Sequence, residues 1–304
     1  MDVRQLEMFR TVAEDGTFTR AAERLRVSQS AISRQVKLLE EELGGVLLHR
    51  GARRVSLTPA GELLLKMANR VRRDMQDVVS QISDTHALRR GSLTLAGGMT
   101  VCMYILPGVL KKYRKLYPRV DLRVVSEASE FILRKIRTHE VDLALLTLPI
   151  VAPDLEVRPV LREEMVVATA PGHPLARERT VVPSSLGKFP LILYESGSNT
   201  RRVLDQFFVE EAVPMNVAME TENVEIIKAM VASGLGITII PFQAIARDLR
   251  AHRRLAYRRL RGRRLFRETG WVYLRTDYLP RTISEMLRVF DQMRSQFGGR
   301  PPQP

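Results

Sequence analysis

Residues 17–43, Thr-Phe-Thr-Arg-Ala-Ala-Glu-Arg-Leu-Arg-Val-Ser-Gln-Ser-Ala-Ile-Ser-Arg-Gln-Val-Lys-Leu-Leu-Glu-Glu-Glu-Leu, constrain the fold more than any other stretch of the chain. They read as two helices joined by a tight turn. Thr17 and Ser28 stand where a hydroxyl accepts from the orphan amides of a helix start. Small Ala21 and Ala22, with Leu25, form the inner side of the first helix and allow a close helix crossing. On the second helix, at about 100° per residue, Gln29, Ser30, Ser33, Arg34 and Lys37 fall within about 140° of one another. Ile32, Val36, Leu39 and Leu43 fall within about 60° on a different face. One face docks on a core and the other is left free. Its side chains are those that pair with base edges in a major groove: Arg with guanine, Gln with adenine, Ser with either. Thr17, Arg20 and Ser28, at the helix starts, join Gln29, Ser30, Ser33, Arg34 and Lys37 in the candidate DNA-contacting set. An ordinary amphipathic surface helix is the alternative reading of this stretch taken alone.

The flanking segments favour the reading head. Residues 3–14 give a bracing helix, with Leu6, Phe9, Val12 and Ala13 at helical spacing. Gly44-Gly45 ends the second of the two helices. Residues 47–57 pattern as a hairpin with a basic tip, where Arg50, Arg53 and Arg54 can reach phosphates or a minor groove. Thr58-Pro59 then opens a helix without a breaker to about Leu88. Along it Leu64, Ala68, Val71, Met75, Val78 and Ile82 alternate steps of four and three, a coiled-coil seam. With no nearby partner in the chain, that seam predicts pairing with the same helix of a second subunit, and hence a target containing an inverted repeat. Arg89-Arg90-Gly91 reads as a hinge.

Beyond it the pattern alternates strands and helices. Strands are expected at 92–96, 120–125 and 142–146, with helices at 100–116 and 129–139 between them. That βαβαβ order implies a parallel sheet covered by helices. A second unit runs through strand 164–170, strand 191–194, helix 200–211, strand 216–221, helix 223–233 and strand 236–240. Strand 270–274 and helix 281–297 return to the first unit. Two such lobes make a hinged module with a ligand cleft at the strand carboxyl ends. Helix starts after Gly98-Met99-Thr100 and after Ser196-Gly-Ser-Asn-Thr200 point amides at that cleft, which favours an anionic or strongly polar small ligand. Val101 and Ser196 lie beside these starts. Arg201 and Arg202 offer a countercharge, although helical geometry turns only one of them inward. Glu220, Glu222 and Asn223, at another strand end, suit a donor group instead.

Composition narrows the class. Over 304 residues the net charge is +14, which favours a polyanionic partner. The charge is uneven: residues 1–60 carry only +2, whereas residues 247–275 carry +9. The latter segment is either a solvated basic face or a second contact surface for phosphates or an acidic subunit. No apolar run approaches a membrane span, and no basic-then-apolar leader opens the chain, so a cytoplasmic protein is expected. One cysteine, Cys102, excludes a disulfide framework and reads as a buried, inert thiol. No metal-ligand spacing, phosphate loop, dinucleotide fingerprint or nucleophile–base pair stands out, so neither a metal site, a cofactor nor catalytic residues are expected.

The chain resembles the LysR-type transcriptional regulators over essentially its full length. The resemblance rests on Leu6-Glu-Met-Phe9, Gly16-Thr-Phe-Thr-Arg-Ala-Ala-Glu-Arg-Leu25, Ser28-Gln-Ser-Ala-Ile-Ser-Arg-Gln-Val-Lys-Leu-Leu-Glu-Glu-Glu-Leu-Gly44 and Leu57-Thr-Pro-Ala-Gly61. Leu48-His49 departs from the Phe usual before Arg50. The resemblance implies an α+β multidomain chain. A winged helix-turn-helix occupies 1–58, a coiled-coil linker helix and hinge 59–90, and a two-lobed α/β periplasmic-binding-protein-like effector domain 91–304. Lobe I covers about 91–163 and 267–297, lobe II about 164–266. The resemblance also implies that Met99, Thr100, Thr147, Ser198, Asn199 and Thr200 line an effector pocket. It further implies a dimer of dimers that binds and bends promoter DNA and contacts RNA polymerase. An anion-binding enzyme or solute receptor with an accessory head, and a purely architectural DNA binder, are the competing classes. The former lacks catalytic motifs and a leader, and the latter gives the two-lobed module no purpose.

Overall fold

A computed structural model describes residues 1–51, 54–83, 91–251, 254–276 and 278–297. The expected tip residue Arg53 and the hinge pair Arg89-Arg90 lie outside them, as do the side chains of Arg50 and Ile82. The chain divides into two compact units, the first ending with the long helix and the second beginning with the strand that follows.

The first unit contains α1 (Val3–Asp15), α2 (Phe18–Leu25), α3 (Gln29–Leu43), the hairpin β1 (Leu48–Arg50) and β2 (Val55–Leu57), and α4 (Pro59–Ser83). Asp2 starts α1 with a capping box, accepting from the Gln5 amide while its own amide donates to Gln5 Oε1. Thr17 and Ser28 cap α2 and α3 through their hydroxyls. Gly44 closes α3 at φ 69°, a left-handed conformation that favours glycine. Phe9, Val12, Ala21, Ile32, Val36 and Leu39 are all completely buried in one core. The hairpin is tied to the α1–α2 turn by Val55 N–H donating to the Gly16 carbonyl at 2.8 Å. Thr58 donates its hydroxyl to the Val46 carbonyl and accepts from the Gly61 amide, so one side chain joins the wing to the start of α4. Gly61 is needed there: a Cβ would lie 2.1 Å from the Leu47 carbonyl oxygen.

Two expectations fail in this unit. Leu43 is 46% exposed rather than inward-facing, because α3 ends before a further turn could press it onto the core. The seam on α4 does have a partner in its own chain. Leu64 and Ala68 are buried in the core built by α1–α3, with Val71 packed at its edge. Only Met75 and Val78, 47% and 52% exposed, are left as apolar positions facing solvent along the described part of the stripe.

The second unit runs β3 (Gly91–Gly97), α5 (Met99–Tyr104), α6 (Leu106–Leu116), β4 (Val120–Ser126), α7 (Ser129–Arg137), β5 (Leu143–Thr147), β6 (Leu155–Thr169), β7 (Thr180–Val181) and β8 (Leu191–Leu193). It continues with α8 (Asn199–Glu210), β9 (Val217–Glu220), α9 (Val224–Ala232), β10 (Thr238–Pro241), α10 (Phe242–Ala251), β11 (Ala256–Leu260), β12 (Phe266–Leu274) and α11 (Arg281–Asp291). β3, β4 and β5 are parallel, as their order demands. The sheet is nevertheless mixed, because β12 runs antiparallel to β5 and to β6. β6 is far longer than the strand expected at 164–170. Its first half pairs with β12, and its second half pairs with β10 and β11. One core forms from residues 165–265; two others form from residues 93–161 and 271–297 with their neighbours. β6 and β12 therefore cross between two lobes. The helix expected at 100–116 is broken at Ile105 into α5 and α6, with Pro107 suited to the first turn of the second piece. The last helix stops at Asp291, followed by a 3-10 turn at Arg294–Gln296.

Candidate functional site

Two places concentrate chemistry. The first is the outer face of α3. Ile32, Val36 and Leu39 are completely buried, and this fixes the rotation of the helix. Gln29, Ser30, Arg34 and Lys37 are thereby exposed, and Ser33 is half-buried beside them. Arg34 has no hydrogen bond or ion pair among the described residues, so its guanidinium can address a base edge bidentately. Lys37 lies 3.6 Å from Glu41, a solvent-exposed pair of small energetic weight. Arg20 is exposed on α2, and Arg54 is exposed at the hairpin.

The second place is a cleft of about 580 Å³ between the lobes. It gathers Gly98–Val101, Ser126–Glu130, Thr147, Pro149–Val151, Tyr194–Thr200, Arg202, Glu222 and Arg267. The expected residues Met99, Thr100, Val101, Thr147, Ser196, Ser198, Asn199, Thr200, Arg202 and Glu222 all lie along it. Their roles differ. Val101 is 2% exposed and belongs to the first lobe's core. Ser198 accepts from the Arg201 amide at 3.1 Å, capping α8. Thr100 caps nothing: α5 starts at Met99 from Gly98 without a side-chain cap, and has only six residues. Asn199 Nδ2 donates to the Thr147 carbonyl at 2.7 Å, across the lobes. The two adjacent arginines separate as helical geometry requires. Arg201 is buried, donating to Asp205, Glu220 and the Tyr194 carbonyl, and it holds the Glu220 carboxyl below its ordinary range. Arg202 faces the cleft.

Other lining residues were not expected. Arg267, 1% exposed, donates to Glu163 through Nε and Nη2 and lies 3.4 Å from Thr200 Oγ1. Thr269 also donates to Glu163. Tyr194 is 4% exposed, and burial pushes its phenol pKa up. Another bond joins the lobes away from the cleft lining: Lys228 Nζ donates to Tyr104 Oη at 2.7 Å while held by Asp248 and Glu225. Cys102 is half-buried with its thiol toward the Gly97 carbonyl, and burial pushes its pKa up. Part of the basic segment is paired: Arg267 with Glu163 and Arg259 with Glu164 are largely buried, whereas Arg263 beside Glu210 and Arg275 beside Glu156 are exposed.

A family model described as the bacterial regulatory helix-turn-helix protein, lysR family, matches residues 3–62, and one described as the LysR substrate binding domain matches residues 86–294. The chain belongs to the LysR-type transcriptional regulators. As a LysR-type protein it is an effector-modulated, DNA-binding transcriptional regulator and not an enzyme. It is 34% identical to the HTH-type transcriptional activator CmpR of Synechocystis sp., over 80% of this chain and 79% of that one. It is 30% identical to the RuBisCO operon transcriptional regulator of Allochromatium vinosum, over 83% of each chain. A full-length OxyR variant from Pseudomonas aeruginosa shares its fold at a TM-score of 0.79, with 25% identity over 99% of both chains. CbnR complexed with its target DNA shares the LysR-type fold at a TM-score of 0.70, with 23% identity over 96% of this chain and 99% of that one.

Proposed function

We propose that the chain binds an inverted-repeat promoter site as a homodimer, reading bases with α3, and that a small anionic effector seated between the lobes alters that binding. The observation that carries the first part is the rotation of α3. Its buried stripe leaves Gln29, Ser30, Arg34 and Lys37 outward on one face. Arg20, Arg50, Arg53 and Arg54 position the head on phosphates, with Thr17 and Ser28 at the helix starts. The exposed Met75 and Val78 on α4 support pairing of linker helices; Ile82, the next position of the heptad pattern in the sequence, belongs to the same proposal. The LysR-type pattern supports a tetramer of two such dimers and contact with RNA polymerase. For the effector, the α8 amides and Arg202 supply positive potential in a cleft both lobes line. Because Asn199 and Thr147 bond across that cleft, a ligand that replaces or tightens this contact shifts the lobe equilibrium by its difference in affinity for the two arrangements.

The test is selection from a randomised operator with the wild type and Arg34→Ala. The wild type selects an inverted repeat, and the variant relaxes one position in each half-site. Unchanged base preference in the variant removes Arg34, and with it this face of α3, from sequence reading.

A further inference from the structure

We infer, building on the cleft as the effector site, that its ligand carries a single anionic group: one compact anionic head joined to an ammonium- or hydroxyl-bearing body. The floor is rich in donors. Ser198 Oγ occupies the Arg201 amide, and Arg202 N–H begins the intrahelical bonds of α8. The Asn199 and Thr200 amides are thus left without a hydrogen-bond acceptor among the described residues. Tyr194 adds a hydroxyl with no well-formed partner, the Thr100 hydroxyl being its neighbour. Thr147 and Thr200, each 8% exposed, face one another at 3.4 Å between their hydroxyls. The guanidinium of Arg267 stands behind Thr200. A buried set of donors at a helix start suits a single carboxylate, sulfate or phosphate group.

The walls have the opposite character. Glu127, Glu130, Glu195 and Glu222 line the same cleft. Glu127 is neutralised by Lys135 and Glu130 lies 3.6 Å from Arg134. Glu195 and Glu222 are exposed and have no cationic partner among the described residues. Arg267 is already matched by Glu163, which leaves Arg202 as the cation facing these two carboxylates. A ligand negative at both ends would set one end against Glu195 or Glu222. An ammonium group or hydroxyls there would instead donate to them.

The experiment is isothermal titration of the full-length protein with sulfate, serine, glycerate and succinate. The expected order places serine ahead of glycerate, and both ahead of succinate. Replacing both wall residues, Glu195→Gln with Glu222→Gln, is expected to shift the serine-to-succinate affinity ratio about fivefold toward succinate. These positions are exposed, so folding is not at stake. Preference for succinate in the wild type, an unchanged ratio in the double variant, or no binding by any of the four overturns the inference. Tyr194→Phe separates this from the site itself. If serine binds but neither Tyr194→Phe nor Thr147→Val alters its affinity, the ligand sits elsewhere and the cleft reading fails, whatever the charge preference.

Discussion

The outer face of α3 draws Gln29, Ser30, Arg34 and Lys37 from nine consecutive residues, whereas the cleft takes its lining from stretches scattered between Gly98 and Arg267. The difference is one of where the constraints come from. A helix face is set by local periodicity and by the residues it buries, so Ile32, Val36 and Leu39 determine what Arg34 does. A cleft floor is set by which strands cross, and Arg267 is part of it only because β12 lies beside β6. Substitutions in α3 should therefore act on DNA and little else. Substitutions in the cleft floor should act on stability and ligand together.

The largest expected effect tests that division from the cleft side. Arg267→Ala strands Glu163 in a site where its side chain is 1% exposed, and costs about 3–5 kcal/mol. Thermal unfolding should fall steeply, while Glu163→Gln with Arg267→Gln should recover part of the loss. A small change in the melting temperature of Arg267→Ala would mean the pair is not what joins floor to scaffold. Next comes Arg34→Ala, expected to cost about 1–3 kcal/mol of specific binding with no change in melting temperature; a fall in both would show that α3's outer face is structural. Tyr104→Phe is smaller. It removes a bond from Lys228 between the lobes, worth about 0.5–1.5 kcal/mol, and should change effector affinity several-fold without touching DNA affinity in the absence of effector. The smallest is a pH effect. Arg201 depresses the Glu220 pKa, so this contribution to stability is complete above the ordinary carboxylate range and is lost as pH falls through the depressed value. Glu220→Gln should flatten the acid limb of a stability–pH curve, and an unchanged limb would mean other carboxylates set it.

The same contrast explains what could be read from the sequence. The helix caps at Thr17 and Ser28, the stop at Gly44 and the Thr58-Pro59 start all appear at their expected positions, because each is a local rule satisfied within a few residues. β6 was legible only in its second half. Its first half holds Pro159 and the charged Arg162-Glu163-Glu164, which break an apolar strand pattern. In the fold, Pro159 sits opposite Gly270, where the pairing with β12 shifts register. Glu163 and Glu164 are buried because Arg267 and Arg259 reach them from about a hundred residues away. Arg267 itself was hidden among the arginines of 247–275, because nothing in the local pattern says which of them meets a distant carboxylate. The α4 stripe was correct in period, but its first turns went to α1, because an apolar seam does not say which neighbour covers it.

The most direct measurement is a footprint of the full-length protein on the DNA upstream of its own gene at physiological salt, repeated with serine, glycerate and succinate. A protected inverted repeat, weakened in Arg34→Ala and changed in extent by serine more than by succinate in the wild type but not in Tyr194→Phe, is the result expected from a local reading head governed by a distant cleft. Absence of salt-resistant protection on that DNA and on other genomic fragments, or a ligand response that survives every cleft substitution, would contradict it.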